Sequence, residues 1–375
     1  DTRAGEPYQD SFDYQRGVGL NPFGRLAGTR VFNGRFFESD GCGSYLSMLK
    51  QSYRTGARIV NNSWGCTGTT CTSEYTDAAQ AYDTAVRDAD DSTPGNQELL
   101  ILFSAGNEGG YASVGSPANA KNVIAVGASE NVRPSWTDSC GVGPAYADNL
   151  QDIWNQSSRG PAPGGRVKPD LVAPGTHVTG TASTSPNYTG TNICDAYYPY
   201  GQQLFAASTG TSHSVPAVAG IASLASFWIT EKYGIENPSP ALLKAYLIAN
   251  TRYLTGNGAN DDLPSYSQGY GLPDMTRAFG NRARIILDQD QVPMFDESGQ
   301  SWALNVQAAR SDLPLRVVIA FTDQPTFLSN PLSDPLYPRV NDLDLVVSTT
   351  SETYLGNEMG GQWSRTGGEA DACLL

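Results

Sequence analysis

Ser212 lies in the run Gly210-Thr211-Ser212-His213-Ser214-Val215-Pro216, just ahead of the small, apolar stretch Ala217-Val218-Ala219-Gly220-Ile221-Ala222. A serine in that position sits at a helix N-terminus. Unpaired backbone N–H groups and the positive end of the helix dipole there favour negative charge beside its hydroxyl. An oxyanion formed when serine attacks a carbonyl needs such surroundings. Asn107, in Ser104-Ala105-Gly106-Asn107-Glu108-Gly109, is the second candidate. It follows the apolar run Leu99-Leu100-Ile101-Leu102-Phe103, and the C-terminal end of a strand is where α/β sheets place their sites. The general base is the difficulty, because the chain has only His177 and His213. His213 diverges from Ser212 by about 100° around a helix, and His177 sits in the turn-like Pro174-Gly175-Thr176-His177-Val178. A serine without a base keeps an alcohol's high pKa and is a poor nucleophile.

The elements that must carry these residues follow from hydrophobic periodicity. Residues 26–32 and 57–62 read as strands, and 44–55 as a helix with Leu46, Leu49 and Tyr53 on one face and Gly56 as its stop. Residues 73–89 read as a second helix through Ala78, Ala81, Tyr82, Ala85 and Val86. The 99–103 run is apolar throughout, as in a parallel sheet covered on both faces, and 122–128 supplies another strand. This alternation predicts βαβ units in an open α/β sheet. Residues 240–250 read as a helix with Ser239 as N-cap and Pro240 in the first turn. After about residue 284 the pattern changes. Strand-like segments at 316–321 and 343–347 alternate with Pro- and Asp-rich turns, which predicts a separate all-β unit.

Bulk composition narrows the partners. The 375 residues carry a net charge of −14, so neither nucleic acid nor an anionic membrane surface is an expected partner. No run of about 18 apolar residues is present, and no membrane span is expected. The chain opens at Asp1-Thr2-Arg3 with no signal-peptide pattern. The six cysteines are Cys42, Cys66, Cys71, Cys140, Cys194 and Cys373. They form no C-x-x-C pair, which argues against structural zinc. Cys66 and Cys71 are close enough to clip a local loop, and Cys140 could pair with Cys194, which favours an oxidising compartment.

Several ordered segments resemble the subtilisin-like serine proteases. They are Ser104-Ala105-Gly106-Asn107-Glu108-Gly109, Ser158-Arg159-Gly160-Pro161 with Lys168-Pro169-Asp170-Leu171-Val172-Ala173-Pro174-Gly175, and Gly210-Thr211-Ser212. Asn62-Ser63-Trp64-Gly65, Glu130-Asn131-Val132-Arg133-Pro134, Tyr146-Ala147-Asp148-Asn149 and Val340-Asn341-Asp342-Leu343-Asp344 point to the subgroup with a C-terminal β-sandwich. The resemblance implies an α/β fold: a parallel sheet flanked by helices over 1–284, incomplete at its N-terminus, then a partial antiparallel β-sandwich over 285–375. It implies a secreted or lumenal serine endopeptidase acting on peptide or protein substrates.

Position by position, the resemblance makes Ser212 the nucleophile and Asn107 an oxyanion donor. Ser63, Trp64 and Gly65 would form an extended edge that pairs with substrate backbone, and Ser104, Ala105 and Gly106 a wall of the pocket. The family's D-[ST]-G and H-G-T-H-V-A-G motifs, which carry its aspartate and histidine, are absent from these residues. A missing N-terminal segment or second chain is therefore expected to supply both. An inactive relative that binds peptides, or serves as a structural module, is the alternative. No cofactor is required. Asp323, Asn341, Asp342 and Asp344 are oxygen-rich and are candidate ligands for a structural calcium ion.

Overall fold

The computed structural model describes residues 3–11, 13–33, 36–37, 43–66, 73–191, 194–330 and 334–367. Its centre is a four-stranded parallel sheet in sequential order: β1 (Ile59–Asn62), β2 (Leu100–Ser104), β3 (Ile124–Ser129) and β4 (Leu171–Pro174). Alternating side chains of β2 enter opposite layers, as the two-residue period of a strand requires. Ile101 and Phe103 pack with Leu49, Tyr82, Ala85 and Val86 of helices α1 (Tyr45–Arg54) and α2 (Asp77–Arg87). Leu100 and Leu102 pack with Val215, Val218, Ile221, Ala222 and Ile229 of α3 (Thr211–Tyr233), backed by Leu243 and Leu247 of α4 (Pro240–Ala249). Helix α3 is long and apolar enough to cross a bilayer by length and composition. Val215, Val218, Ile221, Ala222, Ala225 and Ile229 are instead buried in the core of this layer.

Local chemistry sets the helix ends. Ser44 and Thr76 are N-caps whose hydroxyls accept from the N–H of Ser47 and Ala79, and Ser239 caps α4 through the N–H of Leu242. The Thr76 cap starts α2 later than the helical periodicity suggests, and the chain is already extended at Asp88. The expected strand at 26–32 does not form: only Phe32–Asn33 is a strand, and Leu26 is 99% exposed with no sheet to bury it. The sheet's later connections, between β2 and β3 and between β3 and β4, contain no α-helix.

Beyond α5 (Met275–Phe279) the regular structure is a three-stranded antiparallel sheet of β5 (Val346–Ser348), β6 (Thr353–Gly360) and β7 (Trp363–Thr366). The strand expected at 316–321 lacks a ladder partner and stays irregular, with Val317 and Ile319 exposed. The region docks on the first unit through a buried ion pair, Lys121 Nζ to Asp323 Oδ2 at 2.7 Å. Burial pulls the Lys121 ammonium down, against the Asp323 carboxylate that pulls it up. Asp323 also accepts from the N–H groups of Val340 and Asn341 and from Asn341 Nδ2. Asp323 is saturated by donors, Asp342 pairs with Arg339, and Asp323, Asp342 and Asp344 do not converge on a common point. Cys140 and Cys194 form the disulfide anticipated for them. Cys42, Cys71 and Cys373 lie outside the described residues.

The Lys168-Pro169-Asp170 segment acts as a structural clamp. Asp170, buried, receives Lys168 Nζ and the Ala125 N–H on one oxygen and Lys244 Nζ on the other, all at 2.7 Å. Burial pushes this carboxyl up, but the two ammonium groups outweigh it and hold the group below the ordinary carboxylate range. Removing one member of a buried pair leaves an uncompensated charge. Asp170→Ala is therefore expected to lose about 3–5 kcal/mol in urea unfolding at neutral pH. Because the folded-state pKa is depressed, the carboxylate's contribution is complete above the unfolded value of about 3.9. It is lost as pH falls through the folded value, so the gap between wild type and variant narrows in acid.

Candidate active site

The N-terminus of α3 abuts the C-terminal end of the parallel sheet. Gly175, just past β4, lets it come close: a Cβ there would lie 2.5 Å from Ser214 Oγ and 2.7 Å from the Ala128 Cβ. The Gly175 N–H donates to Ser129 O and the Gly210 N–H to Gly175 O, each at 2.9 Å. Ser214 Oγ donates to Ala173 O at 2.8 Å. Ser212 is thereby fixed in the first turn of α3, where its backbone N–H has no partner among the described residues.

Asn107 faces that turn from the loop after β2. Its Oδ1 accepts from the Thr211 N–H at 2.9 Å and from Thr211 Oγ1 at 2.8 Å. A backbone N–H can only donate, so the side chain's oxygen must point at Thr211 and its amide nitrogen away. Gly210 leaves space for that nitrogen. A Cβ at Gly210, whose φ is 153°, would lie 3.2 Å from Asn107 Nδ2. Two N–H donors, Asn107 Nδ2 and the Ser212 backbone, are thus left without a partner among the described residues at the positive end of a 23-residue helix. This is an arrangement suited to an oxyanion.

Ser63 and Ser212 exchange hydrogen bonds. Ser63 Oγ donates to Ser212 O at 2.9 Å, and Ser212 Oγ donates to Ser63 O at 3.3 Å. Pro216 explains the first bond. It stands four residues after Ser212 and has no N–H, so the Ser212 carbonyl loses its helical donor. The Ser63 hydroxyl takes its place.

The expected binding residues divide. Ser63 and Gly65 lie past the edge strand β1, and a Cβ on Gly65 would meet nothing within 4 Å. The Trp64 ring belongs to the core, 5.4 Å from Phe103 and 5.7 Å from Phe32 between centroids, with Nε1 on Asn62 Oδ1. Ser104 and Ala105 are buried. Gly106 is tied inward, its N–H on Thr211 Oγ1 and its carbonyl on the Ser158 N–H.

Neither histidine hydrogen-bonds to Ser212. His177 is fully buried with Nδ1 3.0 Å from Asp138 Oδ2, and a carboxylate acceptor places the proton on Nδ1. Thr209 Oγ1 donates to the same oxygen at 2.6 Å, and the Cys140 N–H donates to Asp138 Oδ1. Burial pushes the Asp138 carboxyl up, but these bonds prevail and hold it below the ordinary range. His213 is pushed below its ordinary value by burial, against the pull of Asp138 and Asp195. Sequence reasoning missed Thr211 as the anchor of Asn107 and Asp138 as the partner of His177. Each pairing joins distant parts of the chain, and no periodicity signals it.

The model of the subtilase family, peptidase S8, matches residues 9–271. The chain belongs to the subtilase family. Serine proteases make up that family. The chain is 26% identical over 281 residues to the serine protease/ABC transporter B family protein tagD of Dictyostelium discoideum, covering 56% of this chain and 15% of that one. It is 27% identical over 272 residues to pyrolysin of Pyrococcus furiosus, covering 68% and 17%. A further relative is the serine protease AprX of Bacillus subtilis, 32% identical over 130 residues and covering 34% and 25%. The chain spans about one sixth of the length of the first two relatives.

The Pro216 and Ser63 geometry is testable by a double-mutant cycle. Ser63→Ala is expected to cost about 1 kcal/mol in thermal unfolding by leaving the Ser212 carbonyl unpaired. In a Pro216→Ala background, where residue 216 regains its N–H, the same change is expected to cost close to nothing.

Proposed function

We propose that this chain is the serine-bearing part of a secreted or lumenal endopeptidase that cleaves peptide bonds through an acyl-enzyme. The observation that carries the reading is the clamp of Thr211 on Asn107, which leaves Nδ2 beside the first turn that holds Ser212. In this reading the Ser212 hydroxyl attacks the peptide carbonyl. Asn107 Nδ2 and the Ser212 N–H take the oxyanion, and water then releases the acyl group. The substrate backbone pairs with Ser63-Trp64-Gly65 as an added strand at the sheet edge. The Cys140–Cys194 disulfide supports an oxidising compartment.

The general base is assigned outside these residues. Neither histidine hydrogen-bonds to the Ser212 hydroxyl, which donates to Ser63 O at 3.3 Å. The same observation gives the alternative its support: a groove that holds peptides without cutting them.

Fluorophosphonate labelling and peptide hydrolysis separate these readings. The 375 residues alone are expected to label slowly, and the protein extended by its upstream sequence rapidly at Ser212. Ser212→Ala in the extended protein is expected to abolish labelling, and Asn107→Ala to lower hydrolysis by about 10²–10³. Rapid labelling of Ser212 in the 375 residues alone would sink the external base. Peptide binding without hydrolysis in the extended protein would favour the binding module.

A further inference from the structure

Glu130, directly after β3, carries a carboxylate that hydrogen bonding within the chain leaves incomplete. The residue is only 3% exposed, yet its Oε2 has no hydrogen-bond partner among the described residues. Buried carboxylate oxygens are almost always paired, because desolvating one without compensation is costly. Asp148 and Asp152 bring two further carboxylates to the same place. One oxygen from each of the three lies within 4.8 Å of the others. Like charges this close repel unless something positive lies between them. Among the described residues no lysine or arginine forms an ion pair with Glu130, Asp148 or Asp152.

The scaffold holds the three groups in position. The Glu130 N–H donates to Asp152 O at 2.9 Å, and the Asp152 N–H donates to Asn149 O at 2.9 Å. Asp152 Oδ1 is oriented by the Asn257 N–H at 2.9 Å and by Asn149 Nδ2 at 2.5 Å, which leaves Oδ2 without a bond to a described residue. Asp148 is exposed, so the group opens to solvent on one side while Glu130 closes the other.

We propose that Glu130, Asp148 and Asp152 bind a divalent cation of the calcium class. Calcium takes six to eight oxygens at about 2.3–2.6 Å, so ligands on one ion are separated by no more than about twice that length. The observed grouping meets this limit. The ion neutralises the buried Glu130 and fastens the 130–152 loop to the end of β3. It also bears on the candidate active site. Ser129, the neighbour of Glu130, accepts the Gly175 N–H, and Gly175 accepts the Gly210 N–H at the start of α3. The site is independent of whether the chain cleaves peptides.

The test uses calcium alone and needs no catalysis. The 375-residue protein is stripped with a chelator, titrated with calcium chloride by calorimetry and melted with and without the ion. Saturating calcium is expected to raise Tm by on the order of 5 °C. Glu130→Gln and Asp148→Asn are each expected to weaken calcium binding by more than about tenfold and to erase that increment. In chelator, Glu130→Gln is expected to melt at or above the wild-type Tm, because it removes an uncompensated buried charge; a variant that simply misfolds would melt lower. Asp342→Asn, at the surface, is expected to leave the increment intact. Absence of a calcium heat in the wild type, or an unchanged increment in both Glu130→Gln and Asp148→Asn, would overturn the site.

Discussion

Everything at the candidate site depends on how closely the first turn of α3 is held against the carboxyl end of the sheet. Dispersion and burial bring the helix to the sheet, since Val215, Val218 and Ile221 pack over Leu100, Leu102, Ile124 and Val126. Hydrogen bonds then set its axial position. The Ser129–Gly175–Gly210 relay and the Thr211 clamp on Asn107 fix the turn from two sides. The closeness needs glycine at 175, because a single carbon there would collide with Ser214 and Ala128. Core packing and polar positioning are therefore one constraint.

The polar residues around this turn each satisfy a group that a neighbour leaves open. Pro216 removes a helical donor, and Ser63 replaces it from an adjacent strand end. Thr211 occupies the oxygen of Asn107, which commits the nitrogen to face outward. His177, Asp138 and Thr209 form a buried hydrogen-bonded group beside the Cys140–Cys194 bridge, and in doing so commit His177 Nδ1 to Asp138 rather than to Ser212. The histidine at hand is thus spent on architecture.

Local patterns in the sequence carried much of the fold. The uniformly apolar 99–103 run, the Ser239 cap and the small-residue helix after Ser212 all announce themselves within a dozen residues. So do Ser212 and Asn107, since a helix start and a strand end are local features. What stayed hidden was non-local. Asn107 and Thr211 are 104 residues apart, and Lys121 and Asp323 are 202 apart. Composition could not separate Asp323, consumed by an ammonium, from Glu130, left with an unpaired oxygen. Leu26 and the 316–321 segment show the converse. A strand-like sequence forms no strand where the fold provides no neighbouring ladder.

The bond between Lys121 and Asp323 bears on where this polypeptide can be divided. Position 284 looks like a natural cut in the sequence, yet the residues beyond it provide the acceptors of the Lys121 ammonium, at Asp323, Gln324 and Thr326. A shortened version ending there would strip Lys121 of those three acceptors, and Asn122 would lose its two bonds to the Asp323 backbone. The tail covers the 121–122 corner, and excising it would leave both side chains without the partners that now hold them.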